Sequence, residues 1–360
     1  MMPTRLRVLV VDDSAVMRRI ISEALGTDPA FEVVGVAANG EIALQRITQL
    51  TPDAVTLDVE MPVLGGLATI RRIREIHPTL PVIMCSSLTH SGADATLDAL
   101  AAGANDWLAK PAQSASLDES IGRIAAELLP KLRALCKLGR AAKSAAPIGA
   151  HSTPASARGV RPKVAPDVLC IATSTGGPNA LADLFGGLAD ALPVPVVLVQ
   201  HMPPLFTRSL AERLGRGSAH RFYEAEDGQV IEPGSVYIAP GGRHMEIERV
   251  GLQVRARLHD GPPEQSCRPA ADVLFRSVAE VYGRGTLACV LTGMGQDGLR
   301  GCEAIRARGG EVVAQDEASS VVWGMPGSVI NAGLAQTVRP LSGMAEEIRA
   351  RVIGLVARAG

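Results

Sequence analysis

Short apolar runs recur along this chain, separated by stretches whose apolar residues repeat at helical spacing. In the first part the runs fall at residues 7–11, 33–37, 54–57, 82–85 and 107–109, with helical patterns at 16–25, 41–49, 66–76 and 93–102 between them. A strand that is apolar on both faces must be covered on both, so these five βα repeats predict a parallel sheet with helices on either side. Residues 167–360 resume the rhythm, with runs at 168–172, 194–199, 236–239, 252–256, 287–291 and 311–314 and a closing helix over 345–358. The predicted fold class is α/β, two doubly wound parallel-sheet domains. In such sheets the loops leaving the carboxyl ends of the strands meet at one edge, where ligands bind. Polar residues at those strand ends are therefore the candidates for chemistry.

Between the two rhythmic regions, residues 130–166 are rich in Ala, Ser, Pro and Gly and hold eight Lys/Arg and no Asp/Glu, against formal charges of −6 for 1–129 and −3 for 167–360. The expected organisation is a domain at 1–129, a flexible linker at 130–166 and a second domain at 167–360. The linker's charge serves either solubility or docking to an acidic surface. Overall net charge is −1, so no nucleic-acid partner is expected. A DNA-binding output half would need a basic recognition helix, but residues 167–360 are acidic and α/β. No apolar run approaches the ~18 residues of a membrane-spanning helix. The first run is cut short by Asp12-Asp13, which argues against a secretion signal. Six cysteines are scattered with no CxxC pair, suggesting neither zinc nor a disulfide framework. A reducing cytoplasm, without membrane insertion, is the expected location.

In the first domain, Asp12 and Asp13 follow the first strand, Asp58 the third, Ser86 and Ser87 the fourth and Lys110-Pro111 the fifth. Any one aspartate could simply cap a helix. Three carboxylates converging on one edge repel one another unless a cation sits between them, and a few hard oxygen ligands suit Mg²⁺. A lysine and a hydroxyl beside them supply what a transferred phosphoryl group needs. Val10-Val11-Asp12-Asp13-Ser14, Leu57-Asp58-Val59-Glu60-Met61-Pro62 and Lys110-Pro111 closely resemble the receiver domain of two-component response regulators, a flavodoxin-like (βα)5 fold. The resemblance implies Asp58 as phosphoacceptor and Asp12 and Asp13 as Mg²⁺ ligands beside it. It further implies Lys110 as the phosphoryl contact, Ser86 as the switch hydroxyl and Trp107 at the aromatic switch position, where Tyr or Phe is more usual. A cis bond at Lys110-Pro111 is also expected. Gly65 departs from the family's frequent Asp, outside the phosphorylation pocket.

In the second domain, Ser174, His201 and Asp297 each follow an apolar run. Alone they read as a helix cap, a hydrogen-bonding histidine and a turn residue. Together they fit a nucleophile, its base and the orienter of that base. The order Ser…His…Asp and the missing GxSxG exclude an α/β-hydrolase. Five motifs resemble the chemotaxis protein-glutamate methylesterase family: Ser174-Thr175-Gly176-Gly177-Pro178, Gln200-His201-Met202-Pro203, Arg268-Pro269-Ala270-Ala271-Asp272-Val273-Leu274-Phe275, Leu291-Thr292-Gly293-Met294-Gly295-Gln296-Asp297-Gly298 and Ala314-Gln315-Asp316-Glu317. The order receiver, linker, Rossmann-like esterase matches too. The resemblance implies hydrolysis of glutamyl methyl esters on chemoreceptors and deamidation of receptor glutamines. In that reading Ser174 is nucleophile, His201 base and Asp297 orienter, with Thr175 and Met294 beside the oxyanion. It also implies activation by phosphoryl transfer from a chemotaxis histidine kinase to Asp58, Mg²⁺ in the receiver and no cofactor in the esterase. A rival of another class is a phosphorylation-dependent adaptor without activity, against which the intact Ser174, His201 and Asp297 argue. Two departures stand near the site: Ala172-Thr173 before the serine, where Gly-Ala/Ser is usual, and Cys267, where other members often carry His.

Overall fold

A computed structural model describes residues 5–111, 116–144 and 165–353. The chain divides into two compact units, Met1–Ile148 and Gly149–Gly360.

In the first unit, strands β1 (Leu6–Val11), β2 (Phe31–Ala37), β3 (Ala54–Asp58), β4 (Val82–Ser86) and β5 (Asp106–Ala109) alternate with helices α1 (Ala15–Gly26), α2 (Gly40–Leu50), α3 (Gly66–Ile76), α4 (His90–Ala101) and α5 (Leu117–Ser144). The sheet is parallel in the order β2-β1-β3-β4-β5. Strands β3 and β4 are buried at every position, as their largely apolar runs require, with Thr56 carried inside. Three of these helices start on side-chain caps: Ser14 accepts from the Met17 amide at 3.3 Å, Asn39 from Ile42 at 3.0 Å and Thr89 from Gly92 at 3.0 Å. The chain goes to β2 on one side of β1 and returns to β3 on the other, so a crevice opens at the carboxyl ends of β1 and β3.

In the second unit a seven-stranded parallel sheet has the order β14-β13-β12-β6-β7-β9-β8. Its strands are β6 (Val168–Thr173), β7 (Val196–Gln200), β8 (Arg221–Glu224), β9 (Ser235–Ile238), β12 (Thr286–Val290), β13 (Glu311–Gln315) and β14 (Thr337–Arg339). The helices are α6 (Gly177–Gly186), α7 (Phe206–Gly215), α8 (Ala271–Tyr282), α9 (Leu299–Ala307), α10 (Met325–Asn331) and α11 (Leu341–Ile353). An antiparallel hairpin, β10 (His244–Val250) and β11 (Gln253–His259), stands outside the sheet. The core joins the central strands to α8 through Val168, Val197, Leu274, Phe275 and Val290. The direction of winding reverses at β6, which lies between β7 and β12.

Several expectations shift. Helix α5 takes in the first residues of the expected linker, 130–144, and linker residues 145–164 lie outside the described residues. The closing helix starts at Leu341, ahead of the expected 345, and is described to Ile353; its expected end at 358 lies outside the described residues. Among the described residues the cis peptide bond is Arg268-Pro269, so the cis bond expected at Lys110-Pro111 is not found. No helix of the described residues is long and apolar enough to cross a membrane.

Candidate functional site

In the first unit the switch point gathers the residues singled out in the sequence. Lys110 Nζ lies 2.9 Å from Asp12 Oδ2 and 2.8 Å from Asp58 Oδ2. Asp12 and Asp58 are buried, and Asp13 is exposed beside them. Burial raises Asp58 to about 6, the Asp12 charge adding to the effect against the pull of Lys110. Burial likewise pushes Asp12 up. Ser86 and Lys110 line the same cavity of about 210 Å³ with Asp13 and Asp58. The buried Ser86 hydroxyl donates to the Gly92 carbonyl at 3.1 Å. Trp107, buried on β5, has the Lys131 ammonium 5.3 Å from its ring centre. Gly66 starts α3 so close to Asp58 that a Cβ there would stand 2.2 Å from the Asp58 carbonyl oxygen. Carboxylate oxygens of Asp12, Asp13 and Asp58 lie within 4.8 Å of one another. Hard oxygen donors at that spacing, two of them destabilised as anions by burial, fit Mg²⁺.

In the second unit Ser174 follows β6, His201 follows β7 and Asp297 lies in the loop after β12. Those three strands are adjacent at the reversal of the sheet. The His201 amide donates to the Thr173 carbonyl at 3.2 Å and the Ser174 amide to the Thr292 carbonyl at 3.0 Å. Gln200 Nε2 donates to the Ser174 carbonyl at 3.0 Å, stitching the first two loops together. His201 Nε2 and Asp297 Oδ2 are 2.7 Å apart. Ser174 and His201 are half-buried and Asp297 is buried. No hydrogen bond among the described residues joins the Ser174 hydroxyl to His201, so the structure unites the histidine with the aspartate and sets the serine on the neighbouring loop. Of the expected oxyanion residues, Thr175 is buried and its carbonyl accepts from Thr292 Oγ1 at 2.9 Å, while Met294 is half-buried in the Asp297 loop.

What holds Asp297 was not visible in the sequence. Its Oδ2 accepts from the Ala271 amide at 2.6 Å, and its Oδ1 from the Asp272 and Gly298 amides at 2.9 and 3.0 Å. Ala271 and Asp272 open α8, so the carboxylate caps a helix N-terminus, whose unpaired N–H groups and dipole favour an anion. Burial works against the charge, but His201 and these amides hold Asp297 below the usual carboxylate range. The hairpin braces the same helix: the Ala270 amide donates to His244 Nδ1 at 3.2 Å and the Ile247 amide to Ser277 Oγ at 3.0 Å. Burial also opposes protonation of His201, yet the Asp297 carboxylate and the Cys267 sulfur together lift it to about 10. Cys267 Sγ lies 3.6 Å from His201 Nδ1.

A family model described as CheB methylesterase matches residues 169–348, and one described as response regulator receiver domain matches residues 8–122. A protein-glutamate methylesterase/protein-glutamine glutaminase of Trichodesmium erythraeum is 49% identical over 351 residues, spanning 97% of this chain and 99% of that protein. One of the same name from Nocardioides sp. is 47% identical, spanning 96% of this chain and 95% of its own length. The crystal structure of the CheB methylesterase catalytic domain of Thermotoga maritima covers 51% of this chain and 98% of its own, at 42% identity and a TM-score of 0.50.

Proposed function

This chain belongs to the CheB methylesterase family, receiver domain first and esterase second, and we propose that Ser174, His201 and Asp297 carry its hydrolysis of glutamyl methyl esters. The substrates are γ-glutamyl methyl esters on chemoreceptors, and the same site deamidates glutamines. Ser174 Oγ attacks the γ-carbonyl carbon while His201 takes the hydroxyl proton. Asp297 already holds Nε2, so Nδ1 is the nitrogen left for that proton. Backbone amides of the Thr175 and Met294 loops stabilise the tetrahedral oxyanion. On collapse His201 returns the proton to the leaving methoxide, and methanol departs from an acyl-enzyme. Water, deprotonated by His201, then releases the glutamate. Deamidation runs the same way, with ammonia leaving in place of methanol.

The observation that carries this reading is the 2.7 Å contact between His201 and Asp297, fixed on loops hydrogen-bonded to that of Ser174. The test is methanol release from methylated receptor by Ser174→Ala. Its loss with an unchanged melting temperature supports the assignment; retained release removes Ser174 as nucleophile.

Asp58 is the proposed phosphoacceptor, its carboxylate attacking the phosphorus of a phosphohistidine on a chemotaxis kinase or of a small phosphodonor. Asp12, Asp13 and Asp58 would hold Mg²⁺, which when bound neutralises charge on the phosphoryl oxygens. Lys110 and Ser86, on the adjoining strand ends, contact the same oxygens, and Trp107 responds to Ser86. The cytoplasm is the proposed location, because a kinase-borne phosphoryl group activates the enzyme there. The domain limits proposed are 1–129 and 167–360.

A further inference from the structure

We propose that Cys267 and His201 form a binding site for a thiophilic divalent cation of the zinc class, which silences the esterase when filled. The silencing, though not the binding, rests on His201 being the base.

The separation is the first argument. Zinc binds thiolate sulfur at about 2.3 Å and imidazole nitrogen at about 2.0–2.1 Å, so a tetrahedral angle between those bonds spans about 3.5 Å. Cys267 Sγ and His201 Nδ1 stand 3.6 Å apart, and an ion enters with both atoms close to where they already are. The second argument is the far side of the ring. A metal-bound histidine usually gives its other N–H to a carboxylate, which fixes the ring and makes it a better donor. Asp297 does this for His201 at 2.7 Å and is itself held by three backbone amides. The ligating atoms of His201, Cys267 and Asp297 all lie within 4.8 Å of one another, so one thiolate and one carboxylate balance a doubly charged ion.

The thiol is also held in place. Glu264 and Cys267 exchange backbone hydrogen bonds at 3.1 and 2.8 Å across a tight turn. Both Oε atoms of Glu264 accept from Arg276 of α8 at 2.7 Å. Cys267 therefore rides on the same helix whose first amides hold Asp297. The other five cysteines are buried, and Cys267 alone is partly exposed, so an ion can reach it from solvent. On binding, the thiol and the protonated His201 Nδ1 each release a proton to water, and sulfur and Nδ1 each donate a lone pair. Two coordination positions remain for water. The Nδ1 lone pair is the one that would take the proton of Ser174, so the filled site has no base.

The test uses the full chain with Mg²⁺ in excess, which keeps the receiver carboxylates occupied, and titrates Co²⁺ as a coloured stand-in for zinc. A thiolate-to-cobalt charge-transfer band is expected, displaced by Zn²⁺, present in Ser174→Ala and absent in Cys267→Ser. Zn²⁺ is also expected to inhibit methanol release. For Cys267→Ser, compared with its own metal-free rate, the inhibiting concentration should rise at least about 10-fold, the lower end of what losing even an outer-shell partner costs a metal site. No band, or a band that survives Cys267→Ser, overturns the site. A band without inhibition keeps the site but overturns the silencing, and with it the role of His201 as base. Zinc inhibition equal in both proteins places the inhibiting ion elsewhere and overturns the silencing as well.

Discussion

His201 is gripped through Nε2 by a carboxylate that is itself gripped by a helix, and its reactivity follows from that chain of contacts. Replacing Asp297 with Asn keeps the shape but removes the charge and leaves an amide facing donors. The expected result is a kcat lower by about 10⁴, the scale seen when a triad aspartate loses its charge, measured as methanol release. With His201 raised to about 10, only a minor fraction is neutral at pH 7, and in the proposed mechanism only the neutral ring can take the proton of Ser174. kcat/KM should therefore climb with pH across the neutral and mildly alkaline range, and in Asp297→Asn the climb should move to lower pH. A flat profile over that range would mean that the ring is already neutral. The same shift bears on stability with the opposite sense. Because the folded-state value lies above the unfolded one, the contribution is fully present below about pH 6.5 and is lost as pH rises toward 10. The side chains of this site were legible in the sequence because each lies in the loop that follows an apolar run. The amides of Ala271 and Asp272 were not, since a backbone donor leaves no mark on residue type. The Cys267 contact was equally hidden, bridging 66 positions of sequence.

Helix α6 carries the serine loop and offers a matched pair of tests. At its start, a Cβ on Gly177 would stand 1.9 Å from Gln200 Oε1 and 2.5 Å from Thr173 Oγ1, whereas at its end Gly186 has nothing within 4 Å. Gly177→Ala must push aside the side chain that ties the serine loop to the histidine loop. Overpacking of this kind costs about 1–3 kcal/mol, so calorimetry should find a melting temperature lower by roughly 5 °C, with methanol release reduced. Gly186→Ala should be neutral or slightly stabilising. Equal behaviour of the two would mean that Gln200 swings away freely. The fully buried strands β6, β7 and β12 were legible because burial on both faces leaves an apolar run that a polar residue enters only at an end. The strands missed were β8, β10 and β14. Strand β8 is an edge strand that buries no residue fully, β10 mixes charges into its exposed half, and β14 has only three residues. Such strands are held by neighbours rather than by their own composition.

Across the whole molecule, the proposed phosphoryl site and the proposed hydrolytic site share one chain, and the coupling between them is what the phosphodonor experiment measures. The receiver site is poised for a cation because burial raises Asp58 to about 6. A carboxyl raised in the folded state binds more protons than in the unfolded one between about pH 4 and 6, so its ionisation lowers receiver stability as pH rises through that window. Asp58→Asn should therefore raise the melting temperature of the receiver at pH 7, and Mg²⁺ should stabilise the wild type more at pH 7 than at pH 5. If Asp58→Asn leaves the melting temperature at pH 7 unchanged, Asp58 is not strained in the resting fold. Phosphorylation then acts only as far as it favours the active state over the inactive one. Coupling free energies of about 1–3 kcal/mol correspond to changes of about 5- to 150-fold. Acetyl phosphate with Mg²⁺ should thus raise methanol release by the full chain within that range. Asp58→Ala should abolish the response while keeping the basal rate, because Asp58 takes no part in ester hydrolysis. Ser174→Ala should still accept the phosphoryl group, seen as a label released by hydroxylamine or alkali but stable in mild acid, yet release no methanol. An equal response in wild type and Asp58→Ala would show that acetyl phosphate acts somewhere other than the receiver pocket, and the two sites would then be linked by sequence alone.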